Sequence, residues 1–216
     1  MKTLILIRHG ETVLNSFDSE ERLRGWMDVP LDEQGIAEAH ATAQSLRKHR
    51  VSLIYCSDLS RARQTAQAVA QATGAPIVYT PELRPWNVGS LAGQRVKDIL
   101  PQLQELESNP ALPAPDGESF IQFYERYERR LQELLLVASS TREHIVAITH
   151  VRNLLATPTI LQGGDKTRIP VHGGPKTSAL VWVEKNGSGW TLRESQEASS
   201  VATSPIITAD LAPSLA

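Results

Sequence analysis

Two arginines and two histidines stand where short apolar runs end. Arg8 and His9 follow "LILI", Arg61 follows "SLIYCS" in "SDLSRARQTA", and His150 follows "HIVAIT". That set suits a phosphate monoester. Guanidinium groups bind phosphoryl oxygens bidentately, one imidazole adds a donor, and backbone N–H groups at a helix start add more. The other imidazole is then free to attack. Neighbouring arginines oppose its protonation, which keeps the lone pair of the attacking nitrogen available near neutral pH. The intermediate would be a phosphohistidine, with most of the rate expected from fixed positive charge around the equatorial oxygens.

Convergence of these residues requires particular elements. Residues 3–7, 52–57 and 144–149 read as strands buried on both faces, because their apolar residues are continuous rather than alternating. Between them lie stretches of helical period. Ile36, Ala39, Ala43 and Leu46 share one face, as do Ala62, Ala66, Val69 and Ala70, with Asp32 and Asp58 placed to cap the two helices. A longer helix from Glu118 to about Ala138 carries Phe120, Phe123, Tyr127, Leu131, Leu134 and Leu135 on one stripe. Strand followed by helix, repeated, predicts an α/β three-layer sandwich with a mostly parallel central sheet and helices on both faces. In such sheets, sites form where the carboxyl ends of strands meet loops, and three of the apolar runs end in the residues named above. "SALVWVE" and "GWTLRE" flank "KNGSG" and read as a hairpin, while residues 100–117, with four prolines, read as an excursion over the surface. The composition turns to Ser, Ala, Thr and Pro after about Ser195. Residues 1–195 are therefore expected to form one domain and 196–216 a poorly ordered tail.

Composition narrows the partners. With 22 basic and 24 acidic residues the net charge is −2, which gives no overall field for nucleic acid or anionic membrane. Anion binding must come from a local cluster. The single cysteine, Cys56, cannot close an internal disulfide and reads as a small core residue, consistent with a reducing compartment. No apolar run approaches membrane length, and the first stops at Arg8, so a cytoplasmic location is expected.

The blocks "LIRHGET" with Asn15, "GWMDVPLDEQG", "CSDLSRARQTA", "LRPWNVGSLAGQ", "PDGESF" and "ITHVRN", in this order, resemble the histidine phosphatase superfamily, the phosphoglycerate-mutase-like group, over residues 2 to about 185. The resemblance implies that His9 is the phosphorylated nucleophile, Arg8 and Arg61 the phosphate-binding arginines, and His150 the second histidine. It also implies that Asn15 lines the phosphate pocket and that the backbone at Gly25 lies close to bound substrate. It implies no metal and no organic cofactor, a small phosphorylated substrate as partner, and a phosphatase of small phosphomonoesters. The alternatives are a phosphomutase, or a phosphate-binding module with weak turnover.

Two departures from the family pattern bear on the chemistry. Many members read "LRE" where this chain has Leu83, Arg84 and Pro85, and that glutamate is their usual general acid. Protonating a leaving alkoxide is typically worth about 10²–10⁴ in rate. Glu82 or Glu118 reaching the pocket, a water, or a leaving group that needs no proton are the three ways around its loss. After His150 the usual glycine is replaced by Val151, whose backbone N–H still donates, and Arg152, which points to a further negative charge on the substrate. His40, His49, His144 and His172 have no partner in the pattern, and nothing in the spacing of "PVHGGPKTS" requires His172 at the site.

Overall fold

The structure, a computed structural model, describes residues 2–15, 22–168, 173–187 and 189–195. Six strands form one sheet in the order β3-β2-β4-β1-β5-β6. They are β1 (Thr3–Arg8), β2 (Val51–Ser57), β3 (Ile77–Thr80), β4 (His144–Thr149), β5 (Leu180–Asn186) and β6 (Gly189–Ser195). The first four run parallel, and the β5–β6 hairpin joins β1 in the antiparallel sense. The three-layer α/β sandwich is therefore as expected.

The continuity of the apolar runs follows from having two cores. Leu4 and Leu6 of β1 enter one core with α4 (Phe120–Ser140) and α5 (Val151–Gln162). Ile5 and Ile7 enter the other with α1 (Glu33–Leu46) and α2 (Ser60–Thr73). Alternate side chains reach opposite faces, so a strand covered on both sides must be apolar at every position. On α4, Phe123, Tyr127, Leu131 and Leu134 are fully buried along the expected stripe. Its start carries a capping box, with Ser119 Oγ accepting from Gln122 N–H and the Gln122 side chain accepting from Ser119 N–H.

Several expectations fail for identifiable reasons. Residues 100–117 are not merely a surface excursion. They contain α3 (Leu100–Ser108), with Pro101 tolerated in its first turn, and Leu103, Leu106 and Ala114 join the core. Ile36 is 43% exposed and does not share the buried face of Ala39, Ala43 and Leu46. Asp32 caps α1 by accepting from Gly35 N–H at 2.8 Å, but Asp58 caps nothing, because both its oxygens are taken by Arg84 at 2.7 Å. Leu59, without a side-chain cap, starts α2 instead. The short β3 strand carried no expectation. Cys56 is buried as expected, and burial pushes its thiol pKa up. The expected tail, 196–216, and His172 lie outside the described residues.

Candidate active site

Register brings the strand ends together. Arg8 of β1 pairs with Thr149 of β4, and Cys56 of β2 pairs with Ile148, so Ser57, Arg8 and Thr149 align at one sheet edge. The next residues, His9 and His150, put their ring centroids 5.0 Å apart. His9 N–H donates to the Thr149 carbonyl at 3.1 Å, which fixes the loop against β4 as it leaves the strand.

A hydrogen bond fixes which nitrogen of His9 carries the proton. His9 Nδ1 lies 2.7 Å from the Gly10 carbonyl, which can only accept, so the proton sits on Nδ1 and Nε2 keeps its lone pair. Burial, then the charges of Arg61, Arg8 and Arg24, hold the His9 pKa well below the ordinary histidine value. His150 Nε2 lies 2.9 Å from Ser57 Oγ, and its buried Nδ1 has no partner among the described residues. With Ser57 O–H donating to Nε2, the Nδ1–H of a neutral His150 is available to an anion. Burial and then Arg61 hold its pKa well down too.

Arg61, in the first turn of α2, is 1% exposed. Its Nη1 donates to Met27 O at 2.7 Å and its Nη2 to Gly25 O at 3.0 Å, which aims the guanidinium and leaves Nε–H without a partner among the described residues. Burial, then the like charge of Arg24, pull its pKa down to about 9, so it stays cationic at neutral pH but gains from any anion that enters. Arg8, 7% exposed, is held by Nη1 donating to Pro175 O at 2.8 Å.

The remaining expected residues divide. Gly25 has φ +48, and a side chain there would collide with Val88; what links it to the site residues is its carbonyl, which accepts from Arg61. Asn15 is buried, and its Oδ1 accepts from both Thr12 N–H and Thr12 O–H, which closes the turn after Gly10. Val151 and Arg152 open α5, whose start has no side-chain cap, so the helix presents its first N–H groups. Arg61, Arg8 and Arg24 act on both rings, and Arg152 is not among the causes for either. Glu118 accepts from Arg126 Nη2 at 2.6 Å and from Asn87 N–H at 2.8 Å, while Glu82 faces Thr80 and Arg130. Neither carboxylate bonds to an imidazole. Trp86 is buried against Phe120.

Sequence reasoning missed Arg24 and Ser57. Arg24 directly precedes the Gly25 already noted, and its position was the available signal. Ser57 had none, since a serine ending a strand is ordinary. Among the described residues no group of three or more His, Cys, Asp and Glu side chains that could hold a metal ion is assembled, and no helix is long and apolar enough to cross a membrane.

The sandwich and the paired histidines at its strand ends define a class. Residues 4–198 match the family model described as histidine phosphatase superfamily (branch 1), and the chain belongs to that superfamily. A probable phosphoglycerate mutase of Yersinia pestis is 32% identical over 152 residues, 68% of this chain and 69% of the relative. A mycobacterial glucosyl-3-phosphoglycerate phosphatase superposes with a TM-score of 0.76 at 24% identity, covering 90% of this chain and 97% of the other. A phosphoglycerate mutase of Bacillus anthracis gives a TM-score of 0.72 at 19% identity, covering 89% and 92%. The two solved structures share the fold.

Proposed function

We propose that this protein is a metal-independent phosphatase that hydrolyses a small phosphomonoester through a phosphohistidine on His9. The observation that carries the reading is the bare Nε2 of His9, left without a proton because Nδ1–H donates to Gly10 O, on a buried ring where the charges that act are guanidinium groups. Arg8, Arg61 and His150 Nδ1–H bind the phosphoryl oxygens, with the Val151 N–H at the start of α5 as a further donor. Asn15 and the Gly25 backbone border the bound group, and Arg152, in the first turn of α5, meets a further negative charge on the substrate.

In the first step the Nε2 lone pair forms the P–N bond while the P–O bond to the leaving group breaks and its electron pair departs with that oxygen. In the second, water attacks phosphorus, the P–N pair returns to His9 and the water proton passes to solvent. Arginine charge does here what a divalent ion does in many phosphoryl-transfer sites. With p-nitrophenyl phosphate and EDTA the protein is expected to release p-nitrophenol, and His9→Ala is expected to abolish that release. Turnover indifferent to His9→Ala would overturn the reading.

The Yersinia relative's name supports a second reading, a mutase that returns the phosphoryl group to another hydroxyl. Net transfer of label between two hydroxyls of one sugar acid, without release of inorganic phosphate, would establish it in place of hydrolysis.

A further inference from the structure

The segment that has lost the family's acid is bonded to the loop that brings in a third arginine. Pro85 offers no proton, and its carbonyl accepts from Trp26 Nε1–H at 2.8 Å and from Arg126 Nη2 at 3.1 Å. Trp26 is in turn covered by the Arg84 guanidinium, 4.7 Å from its ring centroid. On the other side of Arg24, Leu23 exchanges backbone bonds with Gly93 and Gln94 at 2.7 and 3.0 Å. Gly25 O, one peptide further on, accepts from Arg61 itself at 3.0 Å. Arg24 is therefore carried on a strap pinned before and after it, one peptide from the phosphate-binding arginine, with its Nη1 buried. Its charge is felt at His9, His150 and Arg61 alike.

We propose that Arg24 binds the leaving group, and that this group is the conjugate base of an acid, so that the substrate is a phosphoric anhydride, a diphosphate or an acyl phosphate, rather than an alkyl phosphate. The inference rests on the phosphohistidine reading and replaces its monoester with an anhydride, whose terminal phosphoryl group offers the pocket the same oxygens.

The chemistry is that of a missing proton. An alkoxide departs only if protonated, and the carboxylates expected to stand in for the acid, Glu82 and Glu118, are bonded elsewhere. A phosphate or carboxylate departs as a stable anion. When His9 Nε2 bonds to the terminal phosphorus, the bridging P–O bond breaks and its electron pair stays on the bridging oxygen, where a preorganised guanidinium stabilises it without proton transfer. Water then resolves the P–N bond as before, so the balance is anhydride plus water giving phosphate plus the second acid. Two other carboxyls lie near these arginines: Asp28, whose charge acts on Arg61 but whose oxygens accept from Ser60 N–H and O–H at 2.6 and 2.9 Å, and Glu11, which sits beside Glu38 and Asp32 and feels both Arg8 and Arg24, so the experiment includes Glu11.

The test compares inorganic pyrophosphate, acetyl phosphate, glycerol 3-phosphate and p-nitrophenyl phosphate, all with EDTA, on wild type, Arg24→Met, Arg24→Lys and Glu11→Gln. At least one anhydride is expected to exceed glycerol 3-phosphate in kcat/KM by roughly 10²-fold or more, the size of a missing general acid. Pyrophosphate and acetyl phosphate separate the two kinds of leaving anion. Arg24→Met is expected to lower the preferred anhydride by roughly 10- to 100-fold, the effect of one charge-assisted hydrogen bond, and p-nitrophenyl phosphate several-fold less. Arg24→Lys should restore part of the difference. Glycerol 3-phosphate cleaved as well as either anhydride, equal losses on all substrates in Arg24→Met, or selective loss of glycerol 3-phosphate turnover in Glu11→Gln would each overturn the proposal. If His9-dependent p-nitrophenyl phosphate turnover persists in that event, the phosphatase reading stands. If it is absent from the outset, that reading has failed and this inference with it.

Discussion

At the scale of single residues, the pocket is made of groups whose charge is opposed by their surroundings, and pH shows it. His9 and His150 are buried, with pKa values held well below that of an unfolded histidine, about 6.5. Below that pH the unfolded chain takes up protons that the native chain does not, so native stability is lost as pH falls from about 6.5 toward the folded values. Each such ring contributes a slope of up to about 1.4 kcal/mol per pH unit. Urea unfolding is therefore expected to show a midpoint that declines between pH 7 and 5.5, with a shallower decline in His9→Ala. A midpoint that rises as pH falls would mean that the rings are cationic in the folded state. The same depression predicts a kcat/KM whose acid limb lies below pH 6.5, read from a pH–rate profile with p-nitrophenyl phosphate. Arg8, His9, Arg61 and His150 were legible because each lies within about four residues of the end of an apolar run. Arg24 was signalled only by its place directly before Gly25, because what sets it beside the site is the contacts of its neighbours with Arg61, Gly93 and Gln94.

Elements are placed by contacts that leave no room for a side chain. At Gly35, in the first turn of α1, a Cβ would strike the backbone of Glu11, and at Gly10 it would strike the carbonyl of Gly35. The start of α1 thus rests directly on the loop that carries His9, and Gly10 N–H is held by Thr65 of α2 at 3.1 Å. Gly35→Ala is expected to push that loop and lower kcat by tenfold or more, since a misplacement of about 1 Å costs on the order of 10²-fold. Gly74→Ala is the control for glycine loss. It ends α2 with φ +75 and open space around it, so it should cost about 1 kcal/mol of stability and leave kcat unchanged. Circular dichroism melts and steady-state kinetics on both variants separate the two effects. Helix periodicity located α1, α2 and α4. It misread Asp58, because local capping chemistry competes with a distant partner, and the bidentate bond to Arg84, 26 positions away, won.

For the molecule as a whole, site and core are coupled through α4. One face of that helix buries Leu131 and its neighbours against the sheet, packing on β1 and β4, whose ends deliver His9 and His150. Arg126, on the same helix, reaches the carbonyls of Glu82, Arg84 and Pro85 and so holds the segment that anchors the Arg24 strap. Residues from position 8 to position 150 meet only when the whole sheet is assembled, so an anion bound among them must stabilise the complete fold rather than a local piece. Leu131→Ala removes a fully buried side chain and is expected to cost about 2–5 kcal/mol. Inorganic phosphate at about 100 times its Kd should add back about 2.7 kcal/mol, in the variant and in the wild type alike. Calorimetric melts with and without phosphate measure both effects. Phosphate stabilising the wild type but not a folded Leu131→Ala protein would show that the pocket depends on details of core packing. Equal stabilisation in both would show that the sheet alone sets the alignment of the strand ends, with α4 acting through Arg126 on the strap.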